Sequence, residues 1–186
     1  SPKIFKEEGF YGFKELIEEY PPNPPQVEIN PKEDLAILQY TSGTTALPRG
    51  VMQPQYALLA AEALFQAAFP SEEGSDIVLA YLPFYHGFGQ ILAVLRGALR
   101  GCTLVIFTTP DPDDILAAVG KYKATMFIGV PTMYTILKDH KKTDRVNWKR
   151  LKYILSGGDA LLEDTAEGWE ERTGVRLYEA WGQTEI

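Results

Sequence analysis

Short apolar runs that alternate with helical patterns predict an α/β fold, a mostly parallel sheet with helices on both faces. Three observations carry the prediction. Leu35–Tyr40, Ile77–Tyr81, Thr103–Phe107, Thr125–Ile128, Leu151–Leu155 and Val175–Trp181 are short, largely apolar runs suited to buried strands. Most of the segments between them are long enough for a helix and carry capping residues. Polar, glycine-rich stretches follow the runs rather than precede them: Thr41–Gly50, Phe84–Gly89, Ser156–Asp159 and Gly182–Glu185. In parallel sheets ligands bind beyond the carboxyl ends of the strands, so these four stretches should converge on one edge.

In chain order, residues 1–34 form a Pro-rich N-terminal connector or edge segment. It has room for a short helix over Phe13–Glu19, and Pro21, Pro22, Pro24, Pro25 and Pro31 stiffen the rest. Residues 35–186 then form the α/β domain. A loop rich in Ser, Thr and Gly follows the first strand, and an Ala/Leu-rich helix is expected from about Pro54 to Phe69. After the second strand, Phe88–Leu99 reads as a helix stopped by Gly101. Asp111-Pro112 starts the next helix, with Asp as N-cap, Pro at the first helical position, and Asp113 and Asp114 at the positive end of the dipole. Pro131 opens a further helix, and Leu161–Arg172 is the last, ended by Gly174.

Composition bounds the function. The 186 residues carry 18 Lys and Arg against 25 Asp and Glu, a net charge of −7, and no Lys/Arg cluster makes a nucleic-acid face. One cysteine, Cys102, excludes an intrachain disulfide and suits a reducing, cytoplasmic setting. Two histidines, His86 and His140, exclude a His-rich metal site. Ile77–Leu95 is 19 residues without formal charge, but Pro83, His86, Gly87, Gly89 and Gln90 interrupt it, so it reads as strand, loop and helix rather than a membrane span. Peripheral membrane contact stays open. The chain starts without Met and stops just after a strand-like run, as expected of a piece of something longer.

Thr41-Ser42-Gly43-Thr44-Thr45-Ala46-Leu47-Pro48-Arg49-Gly50 is the strongest chemical signal. Short hydroxyls and backbone N–H groups in a Gly-containing loop make an anion nest, and Arg49 adds a fixed charge for phosphate. The stretch is not a Walker A loop, because Pro48 stands where that pattern needs Gly. Gly87-Phe88-Gly89 is not a dinucleotide fingerprint, because Leu92 stands at the third Gly. No Gly-x-Ser-x-Gly elbow exists to anchor a hydrolase reading. Cys102, without a paired base, reads as inert packing. The acidic residues of the last helix and the Lys141–Arg150 cations read as solvated faces.

Tyr40–Val51 resembles the AMP-binding signature of the adenylate-forming enzymes, with Ala46 where the family has Gly and Arg49 where it has Lys. Leu82-Pro83-Phe84-Tyr85-His86-Gly87-Phe88-Gly89 is similar to the family's acyl-pocket segment, in its acyl-CoA synthetase, coumarate–CoA ligase and luciferase branch. Ser156-Gly157-Gly158-Asp159-Ala160-Leu161 resembles its adenine-facing loop, and Trp181-Gly182-Gln183-Thr184-Glu185 its Tyr-Gly-x-Thr-Glu motif. The four matches occur in the family's order.

The resemblance implies the core of the adenylate-forming large domain, incomplete at its C-terminal side. It implies ATP-dependent activation of a carboxylic acid, fatty or aryl, as an acyl-adenylate, followed by transfer to CoA. The nucleotide would meet Thr41, Ser42, Gly43, Thr44, Thr45, Arg49, Gly157, Gly158, Asp159, Ala180, Trp181, Gly182 and Thr184. His86, Phe88 and Gly158 would face the acyl group, and Glu185 with Thr41 would hold Mg²⁺. The residues carrying catalysis would be Thr41, Arg49, His86, Thr184 and Glu185. In the family a ribose-binding Asp, a hinge and a catalytic Lys lie after the last motif, so these 186 residues alone are expected not to turn over. A nucleotide-binding scaffold without catalysis, a luciferase-like member and an amino-acid-adenylating member remain alternatives. So do plainer roles for single residues: a core histidine for His86, an αL turn for Gly157-Gly158, and a core indole for Trp181.

Overall fold

The structure is a computed structural model that describes residues 11–41 and 47–185. Residues up to Asn30 form one compact unit and residues from Pro31 a second. In the first, helix α1 (Phe13–Glu19) has no buried residue, and the proline-rich stretch after it has no regular secondary structure.

The second unit holds two sheets. Strands β1 (Leu35–Thr41) and β2 (Arg49–Pro54) pair antiparallel, with Thr41 opposite Arg49, Gln39 opposite Val51 and Ile37 opposite Gln53. The five other strands, β3 (Ile77–Ala80), β4 (Thr103–Ile106), β5 (Met126–Gly129), β6 (Tyr153–Gly157) and β7 (Tyr178–Ala180), form a wholly parallel sheet in the order β4-β3-β5-β6-β7. This corrects one expectation. The first apolar run is not a strand of the parallel sheet, and Thr41–Gly50 does not lead from that sheet into a helix. It joins the two strands of a hairpin. The second strand, Arg-Gly-Val-Met-Gln-Pro, carries only two apolar side chains among polar and special residues, which is too weak an alternation to read as a strand.

Side chains alternate across the parallel sheet with the strand period of two. Leu79, Phe127 and Ile154 point to one face, where α5 (Pro112–Lys121), α6 (Pro131–Asp139) and α7 (Glu163–Thr173) supply Ile115, Leu116, Val119, Met133, Tyr134, Leu137 and Trp169. Val78, Met126, Ile128 and Leu155 point to the other, where α2 (Gln55–Ala68) supplies Phe65 and the chain after His86 supplies Ile91 and Leu92. The sheet is therefore covered on both faces, as its apolar runs predict.

The caps follow the sequence signals. The Asp111 carboxylate accepts from the amides of Asp113 (2.8 Å) and Asp114 (3.4 Å). Gly101 and Gly174 end their helices in the left-handed region, at φ 65° and 68°. Several boundaries move; the last strand, expected over Val175–Trp181, is confined to Tyr178–Ala180, and the last helix, expected over Leu161–Arg172, runs Glu163–Thr173. The strand expected at Leu151 starts at Tyr153, because Trp148–Arg150 makes a 3₁₀ turn and Leu151 packs into the core after it. The helix expected over Phe88–Leu99 is continuous but not uniform. It consists of α3 (Gly87–Gly89), a π-helical stretch Gln90–Leu95, and α4 (Arg96–Arg100).

A buried charge network holds this broken helix to α2. Glu62 is 2% exposed and Arg96 0%. The Glu62 carboxylate accepts from Arg96 Nη1 (3.2 Å) and, on its two oxygens, from Arg100 Nε (3.1 Å) and Nη2 (3.0 Å). Arg96 Nη2 also donates to the Phe69 carbonyl (3.0 Å) and the Ser71 hydroxyl (2.6 Å), and its guanidinium lies over the Phe65 ring.

The strand order fixes where a ligand would sit. From β3 the chain moves outward to β4, then returns across β3 to β5 and continues outward to β6 and β7. The topological switch point thus lies between β3 and β5, where the loops leave in opposite directions and open a crevice. The residues that follow β3 are Tyr81–His86. The half-buried Tyr81 hydroxyl accepts from the Val130 amide after β5 (2.9 Å), tying the two sides of the switch point together. Burial holds that phenol above its ordinary pKa, so it stays protonated.

Candidate functional site at the sheet edge and hairpin

His86 leaves the switch-point loop as the N-cap of α3. It is exposed, in extended backbone, and its Nδ1 accepts from the Phe88 amide (3.2 Å). With Nδ1 occupied as an acceptor, the proton of the neutral ring sits on Nε2. The next turn packs tightly. A Cβ on Gly89 would lie 2.5 Å from the Pro83 carbonyl oxygen, so only glycine lets the helix start this close to the Leu82–Pro83 turn.

Phe88 extends the site toward β6. A Cβ on Gly157 would lie 2.9 Å from Phe88 Cζ and 2.8 Å from the Ala180 carbonyl oxygen. Phe88, Gly157 and Ala180 therefore meet in one place, although 69 and 23 residues separate them in the chain. Gly158 follows with φ 87°, the αL turn that its sequence allows. Asp159 is exposed, and its carboxylate accepts from the Ala160 amide (2.8 Å). Glu179 of β7 reaches the same segment by accepting from the Leu161 amide (2.9 Å).

After β7, Trp181 is 79% exposed, and among the described residues no ring stacks on it. This corrects the alternative of a core indole. Gly182 and Glu185 are exposed and Thr184 is half-buried. On the hairpin, Thr41 and Arg49 are a cross-strand pair, Thr41 half-buried and Arg49 exposed. The hydroxyl-rich positions Ser42, Gly43, Thr44 and Thr45 lie outside the described residues.

Two side chains that the motifs do not contain join these parts. Gln39 Nε2 on β1 donates to the Tyr85 carbonyl (2.8 Å), next to His86. Gln53 Nε2 on β2 donates to the Thr184 carbonyl (2.7 Å), next to Glu185. The structure thus brings the hairpin, the His86 loop and the Thr184–Glu185 segment together through two hydrogen bonds. The half-burial of Ile37, Gln39 and Thr41 at every second position marks the inward face of β1. That alternation is visible only in the structure; in the sequence Leu35–Tyr40 reads as a continuous apolar run that does not single out Gln39. Gln53 gave no signal either, because its strand was not recognised.

Among the described residues no group of three or more His, Cys, Asp or Glu side chains could hold a metal. Glu185 is a single exposed carboxylate. A hard cation that keeps several waters and takes one or two carboxylates plus substrate phosphates suits such a donor; a caged metal does not. No helix among the described residues is long and apolar enough to cross a membrane.

Residues 3–186 match the sequence model of the family described as AMP-binding enzyme. The chain belongs to that family. Among relatives of this AMP-binding chain, a long-chain-fatty-acid–CoA ligase of Bacillus subtilis is 34% identical over 160 residues, covering 85% of this chain and 28% of the relative. A feruloyl-CoA synthase of Amycolatopsis is 29% identical over 164 residues, covering 87% and 32%. Among solved structures, ATP-bound MatB of Rhodopseudomonas palustris superposes with a TM-score of 0.73 at 31% identity, covering 86% of this chain and 31% of that one. This AMP-binding chain therefore spans about a third or less of the length of these relatives.

Proposed function

We propose that this chain is the acid- and nucleotide-holding part of an ATP-dependent acid–thiol ligase. The observation that carries the reading is the convergence just described: a hydroxyl-bearing hairpin is docked by its own side chains onto two other motif loops at the carboxyl edge of a parallel sheet. The substrates are a carboxylic acid, fatty or aryl, ATP and CoA, as the names of the relatives indicate for those proteins.

In the first step a substrate carboxylate oxygen bonds to the α-phosphorus of ATP, and the bond to pyrophosphate breaks. In the second the CoA thiolate bonds to the acyl carbon, and AMP leaves. The first step needs no protein nucleophile, since the acid supplies one. It needs charge neutralisation and alignment. Arg49 and Thr41, together with Ser42, Gly43, Thr44 and Thr45, are the residues offered to the phosphates, and Thr184 joins them from the segment after β7. Gly157, Gly158, Asp159, Ala180, Trp181 and Gly182 are offered to the adenosine. The exposed indole of Trp181 gives the base a face to stack on. His86 offers Nε2–H to the acid's carboxylate, with Phe88 and Gly158 shaping the acyl side.

Glu185, with Thr41, would hold Mg²⁺, which when bound neutralises phosphate charge. The net charge of −7 gives no attraction for ATP at long range, so the local cations must supply it. The partly covered, single Cys102 suits a reducing compartment, and the reading places the reaction in the cytoplasm. Because this chain covers only 28–32% of the length of these relatives, we propose that these 186 residues alone bind ATP weakly and do not turn over.

Acid-dependent ATP–pyrophosphate exchange by the polypeptide carrying this chain tests the activity. Glu185→Gln should lower the rate and shift its magnesium dependence to higher concentration. An unchanged magnesium profile would remove Glu185 from the metal site. Nucleotide binding with no exchange for any fatty or aryl acid would favour a scaffold without catalysis.

A further inference from the structure

The geometry points to Gln39 and Gln53 as positioning residues, two struts that set the hairpin's phosphate-facing end against the His86 loop on one side and the Thr184–Glu185 segment on the other. The inference rests on the adenylating reading for its consequence, but not for its structure.

The two glutamines share one face of the hairpin. Ile37 is opposite Gln53, and Gln39 is two residues on from Ile37, so both side chains leave the same side of the ribbon. That side is the half-buried one; the alternate positions Leu38, Tyr40 and Met52 are exposed. The hairpin is a two-stranded sheet of its own, with no strand paired to the five-stranded sheet. Isolated two-stranded ribbons are marginal in water, and the backbone bonds from Gln55 to Asp34 and from Tyr56 to Pro31 tie only the hairpin's base to α2, so the placement of its far end draws on side-chain contacts. The two glutamine bonds are long-range, spanning 46 and 131 residues; the first ends one residue from His86 and the second on Thr184 itself, next to Glu185.

The chemistry leaves no freedom in how each amide is turned. Each partner is a backbone carbonyl, so the amide nitrogen must face it. Each amide oxygen then lies buried, and among the described residues it has no partner. A buried, unpaired amide oxygen is unfavourable. A side chain used only to fill space would be better served by Met or Leu. Glutamine is explained by the donor it aims at a fixed carbonyl.

The struts act on different substrates. Gln39 holds the Tyr85 carbonyl and so the position of His86, on the acid side. Gln53 holds the Thr184 carbonyl and so the position of Thr184 and Glu185, on the phosphate and metal side. Removing one donor should therefore move one Michaelis constant and spare the other.

The test uses Gln39→Met and Gln53→Met in the polypeptide that carries this chain, with urea midpoints to establish that both fold. In acid-dependent ATP–pyrophosphate exchange, Gln39→Met should raise KM for the acid roughly threefold to tenfold, the size of one neutral hydrogen bond, with KM for ATP unchanged. Gln53→Met should do the reverse, and Gln39→Glu, which keeps the shape but lacks the donor, should behave as Gln39→Met. Unchanged constants, or equal shifts of both constants in both variants, would overturn the inference. Should the unsubstituted protein show no exchange, the proposed function has failed, and the struts are then judged by amide hydrogen exchange. Val51 and Met52 should exchange several-fold faster in the double variant while Phe127 and Ile154 do not. Equal protection of the hairpin with and without the glutamines would dismiss the struts.

Discussion

Replacing Glu62 by Leu should destabilise the fold far more than an ordinary helix-surface substitution, and removing Arg96 as well should restore part of the loss. Arg96 has no solvent exposure, and among the described residues its guanidinium is ion-paired to Glu62 alone. With Leu at 62, the cation keeps the Phe69 carbonyl, the Ser71 hydroxyl and the Phe65 ring, none of which carries charge. Arg100 escapes the penalty because its side chain is about one-third exposed and can turn to water. Breaking a buried pair from one side costs about 3–5 kcal/mol, because an uncompensated charge is left in low dielectric. The total available is about 5–15 kcal/mol. In the Glu62→Leu/Arg96→Met double variant no buried charge remains in this network. What is lost is the pair's own net contribution and two hydrogen bonds to neutral partners, each worth about 1 kcal/mol. The double variant should therefore be about 1–3 kcal/mol more stable than Glu62→Leu alone. Urea unfolding followed by tryptophan fluorescence reads this directly, since Trp148 and Trp169 are buried in the core. A double variant equal to or less stable than Glu62→Leu would refute the argument from an uncompensated charge.

Other expectations follow from single contacts. Gly157→Ala should cost about 1–3 kcal/mol by overpacking, because its Cβ would meet the backbone oxygen of Ala180 at 2.8 Å as well as Phe88; a stability within 0.5 kcal/mol of the parent, by the same unfolding assay, would mean that strand β7 yields there. Gly120→Ala, in α5 with nothing within 4 Å of the added carbon, should stabilise by up to about 1 kcal/mol through helix propensity. Cys102 should alkylate slowly near neutrality and gain speed only at more alkaline pH than a free thiol does, because burial raises its pKa more than Arg96 lowers it; a rate profile matching free cysteine would contradict this. The Asp144 carboxylate, held by Arg172 at 2.8 Å, has a lowered pKa, so its contribution is fully present above the ordinary carboxylate range and fades as pH falls through the folded value. Asp144→Asn should flatten the acid side of the stability–pH curve, and an unchanged acid limb would dismiss the pair.

The parallel sheet was legible because its strands are continuous apolar runs, and such runs need cover on both faces. The caps at Asp111, Gly101 and Gly174 were legible because each answers a local backbone demand. The hairpin was not, since Arg49–Pro54 is held by the partner strand and by Gln53 rather than by its own pattern. The π-helical stretch was equally hidden. It lies between Gly89, packed against the Pro83 carbonyl six residues back, and Arg96, anchored to Glu62 34 residues away, and the second contact cannot be read from local sequence. Of the site, the residue types were readable from four short segments. Their meeting was not, because the contacts that bring Phe88 to Gly157 and the hairpin to Tyr85 and Thr184 are made by shape and by backbone atoms.

Both glutamine struts end on main-chain carbonyls, and a carbonyl is the same whatever side chain its residue bears. At position 85 the tyrosine ring is 84% exposed. The hairpin is thus fastened to a point whose sequence can drift without loosening the fastening, while the burden falls on the two positions that donate. A library randomised at residue 85 should retain the hairpin's placement across nearly all substitutions, whereas His86→Pro would remove the turn's own His86 N–H bond to the Pro83 carbonyl. A library at residue 39 should retain it for very few. Two segments of the site could then change their chemistry in evolution while the frame between them stayed fixed.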